Sequence, residues 1–382
     1  MSKVIINIVG DFCISKLDNL HFGDTLKRRL QDADINVINM EGPVRSDLAV
    51  PIYKSGALLC QDPKVPAFLE DNGFNAILLA NNHTMDYGEQ GLDATKNSFR
   101  KALTIGAGTF SEAYRTSVFE IKGRRIGFLS LTQYEFGVLG DIADSIGKTG
   151  TAWMLHPVVD ELIVKAKATS DFLIVLPHAG LEFFDYPLPE VRTLYKHYIA
   201  MGADAVIGNH PHITQGWEFY CGKPILYSLG NFCFNPGLRR NEMWYKGFLS
   251  SITIDSRKTD ISICDSHYDY ACNSVEINDA ENLSKIHFPQ NDVLEDDRSY
   301  MQVVNEKCLS LRNHYRGLFE ASGLYQPTIK KLPRVVLNTL RESSWNCVHF
   351  NNAHAINSLR CETHRWIISR IFELSKKTQS LI

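Results

Sequence analysis

"GADAVIGNHPHITQG" (residues 202–216) decides the fold: the apolar run Ala205 to Ile207 stops at Gly208 and is followed at once by Asn209, His210, Pro211 and His212. A short apolar run bounded by a turn glycine reads as a strand buried on both faces. Such strands belong to sheets covered by crossover helices, and ligands there bind beyond the carboxyl ends of the strands. The two histidines stand at such an end. Residues one apart in an extended turn diverge, so His210 and His212 are expected to reach different partners, with Pro211 stiffening the chain between them.

The pattern repeats outward from this stretch. Strands are expected at Val4 to Val9, Asn36 to Asn39, Ala76 to Ala80, Ile126 to Leu131, Phe172 to Leu176 and Ile225 to Leu229. Helical segments lie between them at Glu89 to Leu103, Val158 to Ala168 and Glu190 to Met201, the last closed by Gly202. Alternating "GFLSSITIDSRKTDISICD" (247–265) reads as two strands joined by a polar turn around Ser256 to Asp260. Beyond it, "MQVVNEKCLSLRNHYRGLFEASG" and "THRWIISRIFELSKKT" have helical spacing and no strand signal. The organisation expected is an α/β domain over residues 1–275 and a helical C-terminal appendage over 276–382.

Six strand ends carry polar side chains: Asp11; Asn39 and Glu41; Asn81, Asn82, His83 and Asp86; His178 and Glu182; His210 and His212; Asn231. Each alone has an ordinary explanation as a turn former, a solvated acid or a satisfied core histidine. Accident at all six would require unrelated turns to choose Asp, Glu, Asn and His at one topological place. A set of Asp, Glu, Asn and three His offers mixed oxygen and imidazole ligands without thiolate, which suits Mn, Fe or Zn. Six ligands exceed what one catalytic ion with an open position takes, whereas two divalent ions sharing a carboxylate accommodate them.

Charge and composition exclude other classes. Forty Lys plus Arg against 43 Asp plus Glu leave a net charge of −3 and no basic stripe, so nucleic acid is not expected as a partner. Nine cysteines without a Cys-x-x-Cys pair fit reduced thiols better than a disulfide framework or a zinc knuckle. The run "MSKVIINIVGDF" is too short for a signal peptide and no stretch reaches the about 18 apolar residues that span a bilayer, so a cytoplasmic location and no transmembrane segment are expected.

The motifs "GDFCIS" (10–15), "NMEGPV" (39–44), "ANNHTMDYGEQGL" (80–92), "HAGLEFF" (178–184), "GADAVIGNHPHITQGWE" (202–218) and "GKPILYSLGNFCF" (222–234) together resemble the calcineurin-like metallophosphoesterases, and among them the CapA family of poly-γ-glutamate capsule synthesis proteins. The resemblance implies a metallo-dependent phosphatase-like layered α/β/β/α sandwich. It implies Asp11 and His212 on one ion, Glu41 between the two, and Asn82, His178 and His210 on the other. His83 would be a general acid or phosphate contact. Asp86 either orients His83 or stabilises the start of the helix after it.

Asn39, Asn81, Glu182 and Asn231 would be substrate or supporting contacts, with Phe183, Phe184 and Tyr186 walling the cleft. Cys13 stands where many relatives place a histidine, as a weak ligand or a packed thiol, and Glu41 where most have Asp. The activity implied is hydrolysis of an anionic small-molecule or polymer substrate in capsule or cell-envelope polymer assembly, with capsule synthesis proteins as partners. A non-catalytic accessory or polymer-binding subunit is the alternative.

Overall fold

The computed structural model describes residues 3–140, 147–234, 241–255, 259–315, 357 and 360–379. Most of the expected turn at Ser256 to Asp260 lies outside these residues, as does the stretch of "MQVVNEKCLSLRNHYRGLFEASG" after Tyr315.

Strands are numbered along the chain. The larger sheet runs β2 (His21–Phe22), β18 (Ser274–Ile277), β17 (Thr259–Asp269), β16 (Lys246–Ile254), β1 (Val4–Cys13), β3 (Ile35–Met40), β4 (Ala76–Leu78) and β5 (Leu103–Ile105). Off this path β15 (Asn231–Phe234) pairs β1 and β19 (Glu281–Asn282) pairs β17. The smaller sheet runs β13 (Trp217–Tyr220), β14 (Lys223–Leu226), β12 (Ala205–Ile207), β11 (Phe172–His178), β8 (Arg124–Thr132) and β7 (Ser117–Ile121). A third, small sheet joins β6 (Ala107–Thr109), β10 (Thr149–Ala152) and β9 (Val138–Leu139).

The central strands of both large sheets are buried on both faces. Val4, Ile6 and Ile8 of β1 share one apolar cluster with Phe128, Ile174 and Ile207 of the smaller sheet, which makes the interface between the sheets. On the outer side of the larger sheet, Val9, Phe12 and Ile38 pack with Leu26, Leu30, Val65, Leu69 and Leu92 from the helices Asp24–Gln31, Val65–Asp71 and Gly88–Ser98. Helices Val158–Thr169 and Pro189–Met201 cover the smaller sheet, burying Val159, Ile163, Tyr195 and Ile199. The layers are therefore α/β/β/α. Asn7, which interrupts the apolar run of β1, faces the helical side, where it donates to Arg29 O and Asn36 Oδ1.

Several elements differ from expectation, among them the strand at Ala76, which ends at Leu78, and the short strand Glu281–Asn282 in the stretch expected to be helical. The helix after Asp86 ends at Ser98 rather than Leu103, because Phe99 turns extended and the Glu70 carboxylate accepts the N–H groups of Arg100, Lys101 and Ala102. The strand expected at Ile225 to Leu229 ends at Leu226, and the chain then leaves the smaller sheet to pair with β1 of the larger as β15. That switch carries the chain from the smaller sheet to the larger.

By compactness the chain divides into one unit of Met1–Ile52 and Ala57–Met301 and a second of Tyr53–Gly56 and Gln302–Ile382. Residues 276 to 301 fall in the first unit, where Phe288 stacks on Trp217 and Arg192 binds Leu294 O and Asp297. The second carries the helix Glu362–Gln379. Among the described residues no helix is long and apolar enough to cross a membrane.

Candidate metal centre

Asp11 owes its position to an irregularity. The pairing of β1 with β3 shifts register between Val9 and Asp11, and its pairing with β15 shifts between Asp11 and Phe12. Such bulges re-aim a side chain. Gly10 permits it: a Cβ there would lie 1.9 Å from Gly230 O, while Asp11 N donates to that same carbonyl at 3.0 Å.

Glu41, one residue beyond β3, is fully buried, and neither carboxylate oxygen has a hydrogen-bond partner among the described residues. Its Oε1 lies 3.8 Å from His83 Nε2, 3.9 Å from His178 Nε2 and 3.7 Å from His212 Nε2. A buried carboxylate ringed by imidazoles just beyond hydrogen-bonding distance fits a cation between them far better than a packed core, where a buried polar atom is normally satisfied. Asp11, Glu41 and His212 each offer an atom, all within 4.8 Å of one another.

A second group converges beside the first. His178 Nε2 is 3.0 Å from Asn82 Oδ1 and 3.1 Å from His210 Nδ1. His178 Nδ1 faces Asn39 Nδ2 at 3.3 Å and Asp11 Oδ1 at 3.7 Å. Asn39 also donates to Asp11 Oδ1 at 2.8 Å, so one side chain spans both groups. All six residues expected as ligands are thus buried together.

The turn that carries the two histidines is not extended. His210 has φ +102° and His212 φ +58°, so both flank Pro211 in left-handed conformations. His210 N donates to Asp11 Oδ2 at 3.2 Å. The rings diverge, with centroids 6.2 Å apart, because of this reversal rather than because of an extended backbone.

Supporting contacts are distinct. His83 Nδ1 pairs with Asp86 Oδ2 at 2.7 Å, and the same oxygen accepts from Leu59 N at 2.7 Å. Asp86 therefore holds the ring of His83 with Nε2 toward Glu41. Asn231 Oδ1 lies 3.0 Å from His212 Nδ1, and its amide donates to Trp244 O. Asn81 turns to Asn39 Oδ1, Met40 O and the loop at Thr84, bracing the turn. Glu182 is exposed, and its charge acts on Glu41, His210 and His212.

Phe183 lies beside His212, 40% exposed and stacked on Trp244, whereas Phe184 is a core residue and Tyr186 is half-buried. Cys13 is buried with Phe234 and Trp244, and burial holds its thiol well above the usual range, as a packed side chain.

The electrostatics follow from burial and charge. Burial, then the neighbouring imidazoles, pushes His178 well below the usual histidine range, and burial lowers His210 although Glu135 and Glu182 oppose it. Burial also disfavours charge on His212, but the Glu41 carboxylate and the Asp11 hydrogen bond outweigh it and push His212 up to about 10. The Glu41–His212 pair therefore holds a proton at neutral pH.

Two residues were missed in the sequence. Trp244 carries no local signal. Gln133 comes directly after β8 just as Asp11 comes after the apolar part of β1, so the strand-end rule applied to Ile126 to Leu131 would have found it.

The family described as bacterial capsule synthesis protein PGA_cap matches residues 18–236. This chain belongs to that family. The matched span holds every expected ligand except Asp11, which precedes it. A capsule biosynthesis protein CapA of Bacillus anthracis is 30% identical over 258 residues, 63% of this chain and 62% of the relative. The PGA biosynthesis protein CapA of Bacillus subtilis is 34% identical over 182 residues, 45% of this chain and 46% of the relative. The chain thus spans less than two thirds of either relative. A Staphylococcus aureus structure described as a candidate 5'-nucleotidase with alpha-ketoglutarate aligns over 76% of this chain and 57% of its own, at 14% identity and a TM-score of 0.42.

Proposed function

We propose that this chain is a dinuclear metal-dependent hydrolase of phosphoesterase type, acting on a phosphoester or amide-linked precursor in capsule or cell-envelope polymer synthesis. The observation that carries the reading is Glu41, a buried carboxylate whose oxygens have no hydrogen-bond partner among the described residues and face three imidazole nitrogens at 3.7–3.9 Å. Asp11 and His212 would hold one ion, Asn82, His178 and His210 the other, with Glu41 shared. Bound divalent ions of the Mn, Fe or Zn class supply Lewis acidity, lowering the pKa of water and neutralising charge on the attacked group.

The chain's own residues do the rest. His83, locked by Asp86, presents Nε2 to the centre and is placed to give a proton to the leaving group. Asn231 and Asn39 fix the rings of His212 and His178. Phe183 and Trp244 wall one side of the mouth. The test is hydrolysis of a panel of phosphomonoesters, phosphodiesters and γ-glutamyl amides by Mn- or Zn-reconstituted protein, with Glu41→Ala beside wild type. Metal-dependent turnover abolished by Glu41→Ala is expected, and no turnover on any class refutes catalysis.

One observation favours a second reading. Cys13 packs against Phe234 and Trp244, so the first ion would have one protein ligand fewer than where a histidine stands there. A non-catalytic subunit that binds anionic polymer through a bound ion is consistent with that loss. Metal-dependent polymer binding without turnover would establish it.

A further inference from the structure

We infer that Phe183 is a specificity-determining residue, an aromatic platform beside the first ion site that takes a ring in the organic part of the substrate. The inference rests on the hydrolase reading above and narrows its substrate to phosphoesters whose organic group carries a sugar ring or a flat heterocycle.

Phe183 and Phe184 are neighbours with opposite surroundings. Phe184 is buried, whereas Phe183 keeps 40% of its surface exposed in a left-handed conformation, with φ +59°. Neither the exposure nor the backbone helps folding, since an apolar ring in water and a side chain at positive φ are both disfavoured.

The fold nevertheless fixes this residue firmly. Its N–H donates to Pro211 O at 2.9 Å, between the two histidines of the turn. Gln215, 2% exposed, donates through Nε2 to Phe184 O at 2.7 Å and Tyr186 O at 2.9 Å. The Tyr300 hydroxyl donates to Pro187 O at 2.7 Å. The segment is thus held at Phe183, Phe184, Tyr186 and Pro187.

The ring so held is stacked on Trp244, with centroids 5.6 Å apart and planes at 27°, and its centroid is 6.2 Å from that of His212. Trp244 is itself 5.0 Å from the His212 ring and only 4% exposed. It backs one face of Phe183, so the exposed surface is the other face and the edge. A rigid aromatic backed on one side is a preorganised stacking surface that costs a ligand little ordering. An ester whose phosphoryl group is held at the ions has its organic part beside this face. A sugar ring or a nucleobase can stack there, whereas an acyclic γ-glutamyl chain has no ring to offer.

The experiment compares the Zn-reconstituted full chain with Phe183→Ala, Phe183→Leu and Phe183→Tyr. Substrates are a glycosyl phosphate, a nucleoside monophosphate and acyclic glycerol phosphate, and affinities for the corresponding non-hydrolysable phosphonates are read by calorimetry. Wild type should prefer at least one ring compound over the acyclic one by about 5- to 100-fold in kcat/KM and in affinity. Which ring compound it prefers identifies the sugar or the base as the occupant. Phe183→Ala and Phe183→Leu should bring that ratio to within about twofold of one, and Phe183→Tyr should keep it. The leucine variant retains an apolar cover on Trp244 without a flat face, and ratios taken within one variant cancel any general loss. Equal losses on ring and acyclic compounds, or an unchanged ratio, would overturn the platform while leaving hydrolysis intact. Absence of turnover with a Phe183-dependent ring preference in phosphonate binding would overturn the hydrolase reading and uphold the platform. Neither turnover nor phosphonate binding would overturn both.

Discussion

Adding metal to the metal-free protein should release about one proton per chain near neutral pH, and that count comes from the burial of each ligand. His178 and His210 are pushed down by burial, so they are neutral ligands with no proton to lose to solvent near pH 7. The Glu41–His212 pair is the exception, with His212 pushed up to about 10 by Glu41 and Asp11 against its own burial. An ion between Asp11, Glu41 and His212 must displace that proton. From about 10 down to pH 7 is three units, so the displacement costs on the order of 4 kcal/mol at pH 7 and about 1.4 kcal/mol less for each unit of higher pH. Apparent affinity should therefore rise about tenfold per pH unit from near 6.5 upward and level off near 10.

The metal-free protein should show the opposite trend. A histidine raised in the folded state stabilises it fully below its unfolded pKa, and that stability is lost as pH rises through about 10. Calorimetric titration in buffers of different ionisation enthalpy counts the protons, and thermal unfolding with and without Zn reads the two slopes. Release below about 0.3 proton with pH-independent affinity would refute the reasoning. Release near two would place a second proton on Glu41 or Cys13, both pushed up by burial, and a count that Cys13→Ser returns to one would assign it to the thiol.

His210→Ala and His212→Ala should each remove a different ion and lower hydrolysis by several orders of magnitude with the fold intact by circular dichroism, consistent with several kcal/mol of charge stabilisation from each ion. Asp86→Asn should lower kcat by about 10²- to 10⁴-fold with unchanged metal content, because the carboxylate bonds the His83 ring. Gly10→Ala should destabilise the fold by at least about 1–3 kcal/mol in urea unfolding, since its Cβ would meet Gly230 O at 1.9 Å.

Much of this centre was legible because buried strands have so few ways to end. Runs such as Phe172 to Leu176 can be read from their apolar content, and the residues just after such a run must lie at the sheet edge. Short elements carry no such signal: His21–Phe22 and Val138–Leu139 are two residues each, too brief for any period, and exist because neighbouring strands offer them hydrogen bonds. The exit of Tyr227 to Gly230 from the smaller sheet was hidden for a related reason. Its residues are as apolar as a strand's, and only the backbone of β1 decides which sheet they serve. The register shift at Asp11 leaves no mark in the residue pattern beyond Gly10.

The conformation of the His-Pro-His turn carries a stronger functional argument than its residues did. His210, His212 and Phe183 all sit at positive φ, and the N–H of Phe183 donates to Pro211 O at 2.9 Å. Side-chain-bearing residues held this way cost on the order of 1–3 kcal/mol each, and glycine would relieve the backbone at every one. Bonds from the rest of the site help hold the turn in this form, among them His210 N to Asp11 Oδ2 at 3.2 Å. A chain selected for the turn alone would place glycine there. Imidazoles kept at strained positions, aimed at a buried carboxylate with no hydrogen-bond partner among the described residues, show local stability yielding to what the side chains do together. The strain therefore supports the ion-binding reading independently of any motif.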